Sequence, residues 1–151
     1  MFSSVLVVCV GNICRSPVGE RLLARLCPDI QVASAGIHAL TGHAADETAA
    51  RIAAADGLSL DGHVARQFTA ELAAPFDLIL VMEEGHRREI HRMAPHLVGR
   101  TLLMTHWSGK APVPDPFRKS DEFHRQVFSI LKQASHSWAS KLGGAAHAKN
   151  A

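Results

Sequence analysis

The sequence has few aromatic residues and few cysteines, and it contains no tyrosine. Without tyrosine, the protein cannot be regulated through phosphorylation of its own tyrosines. Three cysteines, an odd number, argue against a disulfide framework. The first apolar run, residues 5–8, is too short for a signal sequence or a membrane span. We therefore expect a cytoplasmic protein with no membrane insertion.

Concentrated charge and metal-binding motifs are also lacking. The formal net charge is +2, with 16 Lys and Arg dispersed among 14 Asp and Glu. Proteins that follow a nucleic-acid backbone concentrate basic residues on one face, so we expect no nucleic-acid partner. Ten histidines are present, but no HExxH or CxxC…H spacing groups them. We expect no metal and no cofactor.

The N-terminal segment has the pattern of a strand, a tight loop and a helix. Residues 5–10 form a continuous β-branched, apolar run, typical of a strand buried on both faces of a parallel sheet. The Gly-Asn pair that follows tolerates unusual backbone angles. Ser16 is predicted to cap a helix with Pro17 at its first position and Glu20 in its first turn. This arrangement binds phosphate groups in α/β proteins.

Strand and helix patterns alternate along the rest of the chain. They predict strands at residues 30–35, 76–82 and 100–105, helices capped by Asp46, Thr69 and Ser120, and a helix around residues 86–93. The alternation predicts an α/β fold, a single-domain, doubly wound, four-stranded parallel sheet with helices on both faces. We place the domain at residues 1–144 and expect a disordered tail at residues 145–151. Ligands of such sheets bind beyond the carboxyl ends of the strands, where the first loop lies.

This loop carries Cys9 and Arg15 with five residues between them. A loop that enters a helix N-terminus points backbone N–H groups inward, and the helix dipole strengthens this anion site. The Arg15 guanidinium can bind two phosphate oxygens at once. The same positive surroundings favour a thiolate nucleophile at Cys9. A bare C-x5-R arises by chance in roughly one such chain in five, but its position after a buried strand makes it a predicted phosphate site.

The segment from Val8 to Pro17 resembles the signature of the low-molecular-weight protein tyrosine phosphatase family. The similarity continues in the motifs Ala33-Ser34-Ala35-Gly36, His63-Val64-Ala65-Arg66-Gln67, Met82-Glu83 and Pro114-Asp115-Pro116-Phe117. The N-terminal segment and residues 116–120 are most similar to the bacterial Wzb-type branch. Members of that branch act opposite a membrane tyrosine autokinase in capsule or exopolysaccharide export. The resemblance implies hydrolysis of protein phosphotyrosine, with the tail of such a kinase as partner.

The resemblance also implies a role for each matching residue. Cys9 would form a cysteinyl-phosphate, Arg15 would bind the phosphoryl oxygens, and Asp115 would act as proton donor and then as base. The phosphate would lie in the loop made by Val10, Gly11, Asn12, Ile13, Cys14, Arg15 and Ser16. No metal is needed in this scheme, because Arg15 and the loop amides supply the positive charge.

Further residues would support the loop or contact the substrate. Ser16 would stabilise the sulfur as a leaving group. Asn12, held by Ser34 and His63, would keep the loop in its strained shape. The apolar contacts that the resemblance implies for the tyrosine ring are Val10, Leu40 and Phe117. Arg118 stands where many family members carry a second aromatic residue, and Glu83 has no role that the sequence can assign.

Two of these residues allow a second interpretation. Asp115 lies between two prolines, which also suits a simple turn residue. Cys14 is either a small buried apolar residue or a resolving thiol. A resolving thiol would form a disulfide with oxidised Cys9 and prevent its irreversible oxidation.

Three other functions use the same kind of loop. Arsenate reductases of this scaffold need a further downstream pair of cysteines, and none follows Cys27. Protein arginine phosphatases of the family typically carry Thr where this chain has Ile13, and an apolar residue favours an aromatic phosphoester. A non-catalytic phosphate-binding module could dispense with Cys9 and Asp115, yet both are present. The sequence therefore favours phosphotyrosine hydrolysis, with the other three functions as alternatives.

Overall fold

The computed structural model describes residues 2–143, and its centre is a four-stranded sheet. The strands are β1 (Ser4–Cys9), β2 (Gln31–Gly36), β3 (Leu78–Val81) and β4 (Thr101–Leu103). All pairings are parallel and the order is β2-β1-β3-β4, so β1 has a neighbour on each side. The predicted four-stranded parallel sheet is confirmed. The predicted tail, residues 145–151, lies outside the described residues.

Helices cover both faces of the sheet. They are α1 (Arg15–Leu26), α2 (Glu47–Ala55), α3 (Ala70–Ala73), α4 (Glu84–Met93) and α5 (Asp121–Leu142), with a 3-10 helix at Pro95–Arg100. Val5 and Val7 of β1 pack in one core with α1, α2 and α5. Leu6 and Val8 pack in a second core with α3 and α4. Because successive strand side chains alternate between faces, a strand buried on both sides must be apolar throughout.

Three of the predicted helix caps are confirmed. The side chains of Asp46, Thr69 and Ser120 each accept a hydrogen bond from the backbone N–H three residues later, at 3.0, 3.0 and 3.1 Å. Each bond satisfies one of the amides that a helix leaves unpaired at its N-terminus. α5 then ends at Gly143, whose φ of 91° is a left-handed conformation that favours glycine.

The predicted cap of α1 is wrong. The helix begins at Arg15, Cys14 occupies the N-cap position without a side-chain hydrogen bond, and no acidic residue lies in the first turn. Ser16 therefore lies inside the helix, where its hydroxyl bonds to Asn12 and Cys9 instead. Glu20 lies one turn beyond its predicted place. The first amides of α1 have no side-chain cap, which leaves them suited to an anion.

The strands β3 and β4 are shorter than the predicted ranges 76–82 and 100–105. Residues up to Arg100 form the 3-10 helix, so β4 begins one residue later. After Leu103 the chain turns away, and the Met104 amide still donates to Val81 at 2.7 Å. Strand ends depend on these non-local bonds. Among the described residues, no helix is long and apolar enough to cross a membrane.

Gly36 lies where the end of β2 meets the first loop. Its amide bonds to Arg66, and the next two amides bond to the carbonyl oxygens of Cys9 and Val10 at 3.0 Å each. A Cβ atom on Gly36 would collide with the Val10 carbonyl oxygen and crowd Asn12 at 3.0 Å. Both obstacles belong to the loop that carries Cys9. The close approach therefore requires glycine at this position.

We expect Gly36→Ala to lower the free energy of unfolding by about 2 kcal/mol or more, because the added methyl group must displace backbone. Urea denaturation followed by circular dichroism measures the change. Gly99→Ala is the matched control, since a Cβ there meets nothing within 4 Å. The control should differ from the parent protein by less than about 1 kcal/mol. Equal stability of the two variants would contradict this account of Gly36.

Candidate active site

The loop between β1 and α1 forms one side of a cavity of about 210 Å³ at the carboxyl end of the sheet. Residues from two other segments, 38–40 and 115–117, complete the wall. The lining residues are Cys9, Val10, Gly11, Ile13, Cys14, Arg15, His38, Leu40, Asp115 and Phe117. The structure thus brings together the predicted nucleophile, arginine, acid and apolar contacts, although they are separated by up to 108 positions in the chain.

A directed chain of hydrogen bonds ends at the Cys9 sulfur. The side-chain nitrogen of Asn12, Nδ2, donates to the Ser34 hydroxyl at 3.0 Å and to the Ser16 hydroxyl at 2.7 Å. Ser34 in turn donates its proton to Glu20 at 2.6 Å. Because Ser16 accepts from Asn12, its own proton is available to the Cys9 sulfur, 3.0 Å away. The chain of bonds therefore presents a hydroxyl donor to the sulfur.

The other polar atoms of Asn12 are also bound. Its side-chain oxygen accepts from the Arg66 amide at 2.9 Å, and its carbonyl oxygen lies 2.6 Å from His63 Nε2. Asn12 is fully buried and has a φ of 60°. A non-glycine residue persists in this left-handed conformation when its surroundings fix it. Ser34 and His63 lie outside the cavity wall, in contact with Asn12.

Arg15 is buried, at 2% exposure, and its orientation is fixed from behind. Nη1 donates to Glu83 at 3.2 Å and to the Val113 carbonyl at 2.9 Å. Nη2 lies 3.9 Å from the Asp115 carboxylate. A buried guanidinium needs such partners, because an unpaired charge is costly away from water. Glu83, to which the sequence assigned no role, is therefore the ion-pair partner of Arg15.

Asp115 is presented by an extended loop between β4 and α5. The Val113 amide anchors this loop to Met82 at 2.9 Å, and Val113 is fully buried. One carboxylate oxygen of Asp115 accepts from the Phe117 amide at 3.1 Å, which is a turn contact. The other oxygen faces Arg15. The same side chain therefore shapes the turn and lines the cavity.

His86 is a residue of the site that sequence reasoning missed. It is 6% exposed, its Nε2 lies 3.8 Å from Glu83, and its Nδ1 has no hydrogen-bond partner among the described residues. Burial, and secondly the Arg15 charge, lower the pKa of His86 from 6.5 to about 4, against the opposing effect of Glu83 and Asp115. Glu83 precedes the helix predicted at residues 86–93, so the sequence held no local signal that links His86 to the site.

Cys14 lies in the cavity wall beside Cys9 and is buried. Burial, followed by the charges of Asp46, Cys9 and Asp115, raises the pKa of the Cys14 thiol far above its ordinary range. Cys14 is therefore a protonated thiol at neutral pH. Among residues 2–143, no disulfide joins any of the cysteines. Within the same range, no group of three His, Cys, Asp or Glu side chains is placed to hold a metal ion.

A four-stranded parallel sheet with a Cys-x5-Arg loop at its carboxyl end is the framework of a cysteine-dependent phosphatase. The family model described as low molecular weight phosphotyrosine protein phosphatase matches residues 4–148. The chain belongs to this family, as the sequence resemblance predicted, and is a protein-tyrosine-phosphatase.

Relatives and solved structures agree with this assignment. The low molecular weight protein-tyrosine-phosphatase Etp of Escherichia coli K12 is 49% identical over 93% of this chain and 95% of its own. The crystal structure of the tyrosine phosphatase Wzb from Escherichia coli K30 in complex with sulphate has a TM-score of 0.93 and 52% identity, covering 94% and 99% of the two chains. Vibrio vulnificus Wzb in complex with benzylphosphonate has a TM-score of 0.92 and 42% identity, covering 93% and 99%.

The low pKa of His86 makes folding stability depend on pH. His86 is neutral in the folded protein down to pH about 4, whereas in the unfolded chain it binds a proton below its ordinary pKa of 6.5. The unfolded state thus binds more protons in this window, and the free energy of unfolding falls as the pH falls. We expect His86 to contribute a loss on the order of 2 kcal/mol between pH 8 and pH 5.

Urea denaturation at both pH values measures this loss in the parent protein and in His86→Asn. The variant should lose that much less stability on acidification, because it has no imidazole at this position. His91→Asn, an exposed position on the same helix, is the control and should follow the parent protein. A His86→Asn variant with the full pH dependence of the parent would contradict the buried, neutral state of His86.

Proposed function

We propose that the protein hydrolyses phosphotyrosine in a partner protein through a cysteinyl-phosphate on Cys9, with Arg15 as phosphate ligand and Asp115 as acid and base. One observation supports this most strongly. The three side chains line a single cavity, and the sulfur receives a hydroxyl donor at 3.0 Å from Ser16. The nucleophile, the phosphate-binding arginine and the proton donor are therefore within reach of one phosphoryl group.

Arg15 and the loop amides bind the dianionic phosphate. Glu83 and Val113 hold Nη1, so the guanidinium keeps its plane without help from substrate. The remaining guanidinium donors and the uncapped amides of α1 bind the phosphoryl oxygens. Because these donors are in place before binding, they stabilise the charge that develops in the transition state. Val10, Gly11, Asn12, Ile13, Cys14 and Ser16 supply the rest of the phosphate loop.

Two displacements at phosphorus complete the reaction. The Cys9 sulfur forms a bond to phosphorus while the bond to the phenolic oxygen breaks, and Asp115 gives its proton to that oxygen. The Asp115 carboxylate then takes a proton from a water molecule that attacks phosphorus. The sulfur–phosphorus bond breaks, and the sulfur leaves as a thiolate that the Ser16 hydroxyl stabilises. Inorganic phosphate and free enzyme result.

The cavity wall favours an aromatic phosphoester. Leu40 and Phe117 are apolar, partly exposed side chains at its mouth, and Ile13 is an apolar residue within the loop itself. Such a wall packs against a phenyl ring and offers no carboxylate pair for a phosphoguanidinium. Arsenate reduction lacks the relay of later cysteines, since Cys27 is the last cysteine in the chain. The placement of Cys9 and Asp115 in the wall argues against a non-catalytic phosphate-binding module.

The partner we propose is the phosphorylated tail of a membrane tyrosine autokinase in capsule or exopolysaccharide production, met in the cytoplasm. The support is the similarity to phosphatases named Wzb and to Etp.

We also propose that Cys14 protects the nucleophile. A peroxide that oxidises Cys9 yields a sulfenic acid, which condenses with the Cys14 thiol to form a disulfide and water. The raised pKa keeps Cys14 itself protonated, so Cys9 is oxidised first.

Cys9→Ser should lower the rate of turnover of a chromogenic aryl phosphate by about 10³-fold or more, because a serine hydroxyl is a far weaker nucleophile at neutral pH. Release of the coloured phenol measures the rate. Vanadate should inhibit the parent protein, whereas a metal chelator should leave the rate unchanged. Undiminished turnover by the variant would contradict the proposed nucleophile, and a parent protein that binds phosphate without turnover would support the module.

Asp115→Asn should lower kcat by about 10²- to 10⁴-fold with little change in KM, because the amide keeps the turn contact to Phe117 but cannot donate a proton to the leaving phenolate. The effect should shrink for an aryl phosphate whose phenol is acidic. Asp61→Asn, an exposed acid outside the cavity wall, is the control. The slow variant should also retain phosphotyrosine proteins from a lysate, with vanadate as competitor. An equal loss for all leaving groups would contradict the role of Asp115.

A further inference from the structure

Arg118 has an unusual backbone conformation at the mouth of the cavity. The Lys119 amide donates to the Pro116 carbonyl at 2.9 Å, which closes a four-residue turn. Arg118 is the third residue of this turn and has a φ of 62°. Glycine and asparagine favour that position, because a left-handed backbone crowds a Cβ atom. Arg118 occupies this position although a glycine would leave the turn less strained.

The turn directs the Arg118 side chain to the rim of the site. Its guanidinium carbon lies 5.1 Å from the centre of the Phe117 ring, and Phe117 lines the cavity. Both side chains are exposed, with Phe117 at 37%. A guanidinium on an aromatic face keeps its donors directed outward. Arg118 therefore places a positive charge beside the cavity that Phe117 lines.

The acidic residues on both sides of Arg118 in the chain are engaged elsewhere. Asp115, three residues before it, faces Arg15 at 3.9 Å. Asp121 forms two hydrogen bonds to Arg51, at 2.8 and 3.0 Å, and Glu122 pairs with Arg125 at 3.1 Å. Among residues 2–143, no carboxylate forms an ion pair with Arg118 or Lys119 within 4.0 Å. The rim thus carries two positive charges that the described protein does not neutralise.

We propose that Arg118 is a specificity-determining residue that binds a second anionic group of the substrate polypeptide, next to the phosphotyrosine. This inference rests on the proposed phosphotyrosine hydrolysis. A cavity of about 210 Å³ accommodates one phosphorylated ring, so the residues beside the phosphotyrosine remain outside it. Consecutive Cα atoms are about 3.8 Å apart, which brings a neighbouring side chain to the rim. The anion is the carboxylate of Asp or Glu, or a second phosphate group.

A different role for Arg118 would be to hold the Phe117 ring in place. That role predicts the same change for every aromatic phosphoester, since all of them use the ring. Binding of a second anion predicts a change in the ratio between substrates that differ only beside the phosphotyrosine. The ratio therefore distinguishes the two roles.

The experiment compares three phosphotyrosine peptides of identical sequence except for one adjacent residue, which is Glu, Gln or phosphoserine. Para-nitrophenyl phosphate is the fourth substrate. At low salt the parent protein should prefer the Glu peptide to the Gln peptide by about 3- to 5-fold in kcat/KM, mainly through KM. The phosphoserine peptide should exceed the Glu peptide, because its charge is larger. Salt at about 0.5 M should reduce both ratios.

Arg118→Gln should bring both ratios close to one, and Arg118→Gly should do the same while relaxing the turn. Lys141→Gln is the control for loss of one charge, because Lys141 lies about 30 Å away along α5 and should keep the ratios of the parent. If the parent protein prefers only one of the two anionic peptides, and Arg118→Gln abolishes that preference, the preferred peptide identifies the anion as carboxylate or phosphate.

Ratios in Arg118→Gln that equal those of the parent protein would overturn the proposal, whatever happens to the rates themselves. A common loss on all four substrates would assign Arg118 to the support of Phe117 and would also overturn it. Failure of the proposed function is separately visible, because the parent protein would then not hydrolyse para-nitrophenyl phosphate.

Discussion

The side-chain amide of Asn12 donates one hydrogen bond to Ser34 and one to Ser16, and the organisation of the site depends on this pair of bonds. If the amide donates in both directions, each serine must direct its own proton away from Asn12. Ser34 directs its proton to Glu20, and Ser16 directs its proton to the sulfur of Cys9. Glu20, an acid of α1 outside the cavity wall, thus contributes to the direction of the hydrogen bond at the Cys9 sulfur. The left-handed backbone of Asn12 is tolerated because four neighbours hold it.

Arg15 depends on a second set of contacts, made by residues that follow β3 and β4 in the chain. Glu83 immediately precedes α4, Val113 belongs to the loop before α5, and both bind the same guanidinium nitrogen. Asp115 follows Val113 by two residues, so one anchored loop positions the arginine and the acid together. His86 packs behind Glu83 without a positive charge of its own, because burial beside Arg15 lowers its pKa and disfavours protonation. A second cation there would compete with Arg15 for the same carboxylate.

The sequence was sufficient for those features that local chemistry determines. The apolar run of β1, the caps at Asp46, Thr69 and Ser120, and the spacing of Cys9 and Arg15 all follow from neighbours in the chain. Ser16 is not the predicted helix cap, because its hydroxyl bonds to Asn12 and Cys9 and not to a helix amide. Which of these partners the hydroxyl binds depends on the shape of the loop. The roles of Glu83 and His86 could not be predicted, because a carboxylate beside a distant arginine has no local signature.

The contacts around Gly36, Asn12 and Arg15 lie within the protein itself, so the loop has its shape independently of any ligand. The conformational entropy of this segment is lost during folding and not at the moment of binding. Small tetrahedral oxyanions should then bind with little rearrangement, and their relative affinities report the electrostatic field of the loop directly. We therefore expect the loop to act as a rigid receptor, with adaptation to different polypeptides confined to the side chains at the mouth of the cavity.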